Sequence, residues 1–340
     1  MTTTILLTGA AGYIASHTWL ALQKAGFRVV GVDNFANSSP VVLERLAELA
    51  TAPIEFERAD VCDAQAMDEV FASAKPAAVV HFAAYKAVGE SVSQPLAYYR
   101  NNLGGLVNTC EVMKRHGCTR MVFSSSATVY GAPETLPLRE DAPTSSTNPY
   151  GATKLMGEQI LRDLGIADPA WQTACLRYFN PVGAHESGRI GEDPRGTPNN
   201  LMPYVAQVAV GRSAKLSVFG NDYPTPDGTG VRDYIHVTDL AEGHVAALRW
   251  LLSNTGSLTV NLGTGQGYSV LDLVRAYEAA SGRSIPYELV ARRPGDVAAC
   301  WADPAAARET LGWEARLNLA RMCEDSWRWQ QLNPHGFNAV

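Results

Sequence analysis

Tyr150 and Lys154 stand four residues apart in the run Asn148-Pro149-Tyr150-Gly151-Ala152-Thr153-Lys154. On a helix that spacing puts a phenol and an ammonium on one face, and Pro149 suits a first helical turn. A tyrosine with a pKa of about 10 is a poor base at neutral pH. A neighbouring ammonium stabilises phenolate, so the pKa of Tyr150 is expected to fall. The pair alone is a weak signal, because many solvated helix faces carry one. It gains weight from Ser124-Ser125-Ser126, which follow a strand expected over 121–123. Ser126 would hydrogen-bond a reacting hydroxyl and position its proton, whereas Ser124 also reads as a loop cap.

A second constellation lies at the N-terminus, in Thr8-Gly9-Ala10-Ala11-Gly12-Tyr13-Ile14-Ala15. Glycines between a strand and a helix let the backbone turn tightly and approach a pyrophosphate, which then sits on the helix N-terminus. Asp33 follows about 20 residues later, where a carboxylate accepts from ribose hydroxyls and repels a 2′-phosphate; this favours NAD over NADP. The cation of NAD+ would add to the stabilisation of a Tyr150 phenolate.

These groups need elements to hold them. Strands are expected over 5–7, 29–32, 54–57, 78–81, 121–123 and 173–177, and helices over 12–25, 40–50, 64–73, 95–116 and 149–164. That alternation predicts an α/β fold, a doubly wound parallel sheet of Rossmann type with ligands beyond the carboxyl ends of its strands. After Asn180 the segments 183–200 and 220–230 are rich in Gly and Pro and read as long loops. Regular patterns return at 237–252, 258–262, 270–281 and 317–330. The expected organisation is an NAD-binding domain over 1–180 with a returning segment near 232–262. A smaller second lobe, interleaved with the sheet domain, would take 181–231 and 263–340.

The chain has 340 residues, 46% hydrophobic and 18% charged, with a formal charge of −6. Without a Lys/Arg run, counterion release cannot drive nucleic-acid binding. No apolar run reaches the roughly 20 residues that span a bilayer, and residues 1–10 carry no charged n-region, so neither membrane insertion nor a secretory signal is expected. Six scattered cysteines without C-x-x-C predict reduced thiols in a cytoplasmic protein, with no metal site.

The G-x-x-G-x-x-A spacing resembles the extended short-chain dehydrogenase/reductase family, with Ala15 where Gly is usual. The segments 81–91 (HFAAYKAVGES), 124–131 (SSSATVYG), 177–185 (RYFNPVGAH), 199–203 (NNLMP), 219–223 (FGNDY) and 232–237 (RDYIHV) resemble, more narrowly, the UDP-glucose 4-epimerase family along essentially the whole chain. The resemblance implies NAD as cofactor, UDP-glucose and UDP-galactose as substrates, and a homodimer. Helices 95–116 and 149–164 would pack in its interface. It implies that Tyr150, Lys154 and Ser126 are catalytic. NAD would be held by Gly9, Gly12, Tyr13, Ile14, Asp33, Asn34, Asn37, Ser38, Asp60, Val61, Phe82, Ala83, Lys86, Asn102, Ser124, Tyr150, Lys154 and Tyr178. The UDP-sugar would meet Lys86, Ser126, Tyr150, Phe179, Asn180, Asn200, Leu201, Leu216, Ser217, Phe219, Arg232, Arg293, Asp296 and Cys300. Arg232 and Arg293 would supply the positive charge a diphosphate needs in an acidic protein. The implied chemistry is oxidation at C4 to a 4-keto sugar, its turnover in the site, and hydride return to the other face.

Cys300 stands where family members restricted to glucose and galactose carry Tyr. The smaller side chain is expected to admit a 2-acetamido group, and with it UDP-GlcNAc and UDP-GalNAc. Ala84 and Tyr85 replace the family's commoner Gly-Leu. Three competing readings follow. An epimerase for a UDP-pentose or uronate shares these motifs. A dehydratase needs carboxylates at the positions of Ala127 and Thr128. A non-catalytic NAD-sensing relative would lose Tyr150 or Lys154.

Overall fold

The computed structural model describes residues 2–194, 198, 200–293 and 295–337. Asn199, in the motif at 199–203, lies outside them. The first half of the chain alternates as its apolar runs dictate. The strands are β1 (Thr4–Thr8), β2 (Arg28–Asp33), β3 (Glu55–Arg58), β4 (Ala78–His81), β5 (Arg120–Ser126) and β6 (Gln172–Tyr178). The helices between them are α1 (Tyr13–Lys24), α2 (Val41–Leu49), α3 (Ala64–Ala74), α4 (Val88–Ser93), α5 (Pro95–Tyr98), α6 (Gly104–Arg115) and α7 (Pro149–Ala167). Then come β7 (Asn180–Val182), α8 (Leu201–Ala209), β8 (Leu216–Phe219), β9 (Val231–His236), α9 (Val237–Ser253), β10 (Leu258–Leu262) and β11 (Gly267–Ser269). α10 (Val270–Ser281), β12 (Tyr287–Val290), β13 (Ala299–Cys300), α11 (Ala305–Leu311) and α12 (Leu319–Leu332) complete the order.

Seven strands form one parallel sheet in the order β10-β6-β5-β4-β1-β2-β3. The winding reverses between β1 and β4, and such a reversal opens a crevice at the strands' carboxyl ends. Helices cover both faces, so Ile5, Leu6 and Leu7 are all fully buried although they alternate in direction. α1 lies close because β2 carries Gly31: a Cβ there would stand 2.0 Å from the Trp19 ring.

The rest of the chain builds smaller sheets. β9 is the centre of one, with β7 and β13 parallel to it and β11 antiparallel. β8 pairs in parallel with β12. α8, α10 and α12 close over an apolar cluster containing Leu216, Val218, Tyr234, Tyr277 and Met322.

Two expectations need correction. The helix expected over 95–116 is interrupted by a π-helical turn, Tyr99–Leu103, between α5 and α6. The second half is also more regular than its loops suggested, with β8, β9, β12, β13, α8 and α11 unforeseen. These strands have two to six residues, too few to establish a period. All six cysteines are free; Cys110, Cys118, Cys175 and Cys323 are buried, Cys300 is half-buried and Cys62 is exposed. Among the described residues no helix is long and apolar enough to cross a membrane.

A buried ion pair fixes α7 to the sheet. Arg177 of β6 donates to both carboxylate oxygens of Glu158 at 3.0 and 2.8 Å, and also to Tyr130 Oη and the Glu140 carbonyl. Ser125 of β5 donates to the same carboxylate. Glu158→Ala strands a buried guanidinium and should cost about 3–5 kcal/mol in urea unfolding. Arg28→Ala, which breaks a pair exposed by 41% and 42%, should cost about 0–1 kcal/mol.

Candidate active site

A cavity of about 870 Å³ opens beyond the carboxyl ends of β1, β2, β4, β5 and β6. Gly9 forms its floor at φ +67°, and a Cβ there would stand 2.9 Å from the Ala83 backbone nitrogen. Chain direction and close packing therefore both require glycine. α1 starts after Gly12 without a side-chain cap, which leaves first-turn N–H groups available to an anion. Gly12, Tyr13, Ile14 and Ala15 line the cavity there. The extra methyl of Ala15 is taken up in the core, where the residue is 1% exposed.

Asp33 lines the cavity at the end of β2 and also organises the turn after it. It accepts from the N–H groups of Ala11 (3.1 Å) and Phe35 (2.7 Å) and from the Ser38 hydroxyl (2.9 Å). Phe35 sits at φ +59°, a conformation this carboxylate holds in place. Asn34, Asn37, Ser38, Val61, Phe82, Ala83, Lys86, Ser124 and Tyr178 share the wall. Asp60 and Asn102 stand behind it. Asp60 accepts from Asn34 Nδ2 at 2.9 Å. Asn102, in the π turn, accepts from the Tyr85 N–H (2.8 Å) and donates to the Tyr85 carbonyl (3.0 Å) and Thr153 Oγ1 (3.1 Å). It thus joins the loop after β4 to α7.

Asn148 caps α7, its Oδ1 accepting from the Gly151 N–H at 2.9 Å, and Tyr150 enters the cavity from the first turn. The Tyr150 hydroxyl is hydrogen-bonded to Ser126. Lys154 Nζ donates to Ser124 Oγ at 3.1 Å and lies 5.9 Å from the Tyr150 ring centre. In the chain alone, without the cation of NAD+, the Tyr150 pKa does not fall. Burial pushes it up to about 12, with the Ser126 hydrogen bond pulling only weakly the other way. Burial also lowers Lys154 to about 7. Both groups lose water together, and the ammonium alone does not offset that loss. Tyr178 is likewise raised by burial. It bonds to His244 Nε2, while His244 Nδ1 lies 2.8 Å from the Leu240 carbonyl. Nδ1 therefore carries a proton, and burial lowers the His244 pKa to about 4, so the ring is neutral and Nε2 accepts from the Tyr178 hydroxyl.

Of the residues expected at the sugar nucleotide, Lys86, Asn200 and Tyr150 line this cavity. Ser126 lies beside Tyr150 and accepts from Thr128 Oγ1 at 3.0 Å. Others gather around the smaller sheets. Arg232 pairs in register with Cys300, and its guanidinium is 3.9 Å from Asp296. Arg293 lies over the Phe219 ring at 3.9 Å. Phe179 and Cys300 pack in one apolar cluster with Ala302. Asn180 opens β7 and Leu201 opens α8. Ser217 is half-buried on β8, but its neighbour Leu216 is fully buried in the apolar cluster with Val218 and Tyr234, so that cluster rather than the cavity accounts for the leucine. Sequence reasoning missed Tyr85, Glu192 and Phe337 on the wall. Tyr85 had a signal, as a departure from the family pattern; Glu192 had none, because its cationic partner Lys86 is 106 residues away.

The profile of the family described as GDP-mannose 4,6 dehydratase matches residues 6–326. Fold and site thus define a member of that nucleotide-sugar class. Within it, the chain is 60% identical over 336 residues to UDP-glucose 4-epimerase of Bacillus subtilis, covering 99% of each. It is 58% identical over 340 residues to the Homo sapiens UDP-glucose 4-epimerase, covering 98% of each. The crystal structure of UDP-glucose 4-epimerase from Bifidobacterium longum with NAD+ and UDP superposes with a TM-score of 0.95 at 54% identity, covering 98% of this chain and 100% of that one. The chain belongs to the UDP-glucose 4-epimerase family.

The lowered Lys154 pKa makes a signed prediction for cofactor-stripped protein. Unfolded, Lys154 titrates near its ordinary 10.5; folded, near 7. Between those values the unfolded chain binds more protons, so stability rises with pH, and the full penalty is present below pH 7. Lys154→Met should therefore stabilise the stripped protein at pH 6 by on the order of 1–3 kcal/mol, with the gain shrinking towards pH 10. Thermal unfolding at both pH values checks this; a destabilised variant at pH 6 would contradict it.

Proposed function

We propose that this chain is an NAD-dependent UDP-glucose 4-epimerase in which Tyr150 is the base. The observation that carries this reading is Tyr150, Lys154 and Ser124 meeting beside the glycine turn in one cavity, with Ser126 next to Tyr150. The site fits NAD. Gly9 leaves a cradle that a Cβ would fill, the α1 N-terminus lacks a side-chain cap, and Asp33 faces the cavity where a ribose would be read. When bound, NAD+ supplies the acceptor for the C4 hydride and a positive charge.

The chain's own groups supply the rest. Ser126 orients the sugar 4-hydroxyl, and Tyr150 takes its proton as the 4-keto sugar forms. Tyr150 returns the proton when the opposite C4 configuration is made. Lys154, held by Ser124, favours the phenolate and binds the nicotinamide ribose. Arg232 and Arg293 hold the UDP diphosphate, with Asn180, Asn200, Leu201, Ser217, Phe219 and Asp296 around the nucleotide. Ala127 and Thr128 begin a 3₁₀ turn after Ser126. Neither carries the carboxylate that elimination of water requires, which favours epimerisation over dehydration.

Three finer proposals accompany this one. The NAD-binding domain takes 1–180 with a return near 232–262, and the UDP-sugar lobe takes the remainder. The protein works in the cytoplasm as a homodimer through α4 to α7, where Val92 (63%), Leu96 (76%) and Ile166 (75%) are exposed. Cys300 leaves space for a 2-acetamido group, so UDP-GlcNAc and UDP-GalNAc are also interconverted.

Purified protein should convert UDP-galactose without added NAD, with products resolved by NMR. Tyr150→Phe should lower kcat by about 10²–10⁴-fold. No turnover by the wild type even with NAD added would reject the reading in favour of a UDP-pentose or uronate epimerase. Cys300→Tyr should abolish UDP-GlcNAc turnover and leave UDP-galactose turnover largely intact. A wild type inert toward UDP-GlcNAc but active on UDP-galactose would sink the specificity proposal.

A further inference from the structure

Segment 191–194 forms part of the cavity wall, and its carboxylate joins two parts of the molecule. Glu192 Oε1 accepts from Lys86 Nζ at 2.9 Å and from Asn200 Nδ2 at 3.0 Å. Lys86 comes from the loop after β4, and Asn200 directly precedes α8. The Glu192 side chain is only 8% exposed, against 47% for Lys86. Its backbone is fixed from a third side. Trp329 Nε1 of α12 donates to the Glu192 carbonyl at 3.3 Å, and a Cβ on Gly191 would stand 2.5 Å from the Trp329 ring. The carboxylate is therefore held in the wall by packing.

A buried negative charge is out of place in a cavity built for a dinucleotide and a UDP-sugar, both anionic. It repels them and carries a desolvation cost unless a cation and donors are bound to it. Here the cation and the donor are two side chains already placed at the substrate.

We propose that Glu192 is a positioning residue, which gathers Lys86 and Asn200 on one carboxylate oxygen and presents them together to the nucleotide sugar. The inference deepens the epimerase reading and rests on it. Glu192 touches neither C4 nor the transferred proton, so its effect falls on substrate affinity.

The test is steady-state kinetics with UDP-galactose on the wild type, Glu192→Ala, Glu192→Gln, Lys86→Met and the double variant Glu192→Ala/Lys86→Met. Glu192→Ala should raise KM about tenfold, as expected for loss of hydrogen bonds to a charged group, with kcat much less affected. Glu192→Gln should recover most of the affinity, because its amide oxygen still accepts both bonds. Lys86→Met should raise KM far less in the Glu192→Ala background than in the wild type. Additive effects, or a Glu192→Ala enzyme with wild-type KM, overturn the inference. If Glu192→Ala does not fold, Glu192→Leu, which fills the volume but accepts no hydrogen bond, takes its place in the cycle with Lys86→Met. A wild type inert toward UDP-galactose overturns the epimerase reading together with this inference; an active wild type with additive variants overturns this inference alone.

Discussion

Water is removed from a phenol and an ammonium at the same place, and the site is arranged around that cost. Burial drives Tyr150 up to about 12 and Lys154 down to about 7, so each group is pushed towards its neutral form. In the chain alone Tyr150 keeps its proton. Ser126 reduces the cost of ionising it, but desolvation outweighs that help. A further positive charge beside the phenol is required, and the proposed cofactor carries one in its oxidised form. Proton removal and loss of hydride are thereby linked through electrostatics: the charge that helps ionise Tyr150 is present only while the cofactor is ready to accept.

The fold bears this cost by making the surroundings rigid. Asn148 and Pro149 define where α7 starts, and the Glu158–Arg177 pair anchors its middle to β5 and β6. Asn102 reaches from a π turn to tie the loop after β4 to Thr153, one residue from Lys154. Single π turns often mark functional sites, and this one redirects an amide that a regular α-helix would aim elsewhere. On the opposite wall, Gly9 lets the turn after β1 approach Ala83 closely. Tyr150 and Lys154 therefore face a glycine turn packed directly against the Ala83 backbone.

The parallel sheet was readable from sequence because its strands are buried on both faces and appear as unbroken apolar runs such as Ile5-Leu6-Leu7. Local chemistry was readable for the same kind of reason. Tyr150 and Lys154 are four residues apart, and Gly9, Gly12 and Asp33 lie in a fixed strand–turn–helix frame. What escaped depends on distant parts of the chain. The short strands β8, β12 and β13 have too few residues to show a period. Lys86 and Glu192 are 106 residues apart, so no spacing pairs them. The opposing effect of burial on Tyr150 was not legible, because a nearby ammonium is visible in a sequence whereas depth of burial is a property of the packed molecule.

The most direct test of this account is the titration of Tyr150 itself, followed by NMR in protein labelled with ¹³C at tyrosine Cζ and assigned through Tyr150→Phe. In cofactor-stripped protein the phenol should remain protonated well past pH 10, in line with a pKa of about 12. Adding NAD+ should bring its ionisation down towards neutral pH, and NADH should not. A Tyr150 that already ionises near neutral pH without cofactor, or one that NAD+ leaves unchanged, would contradict the claim that the buried pair needs the cofactor's charge.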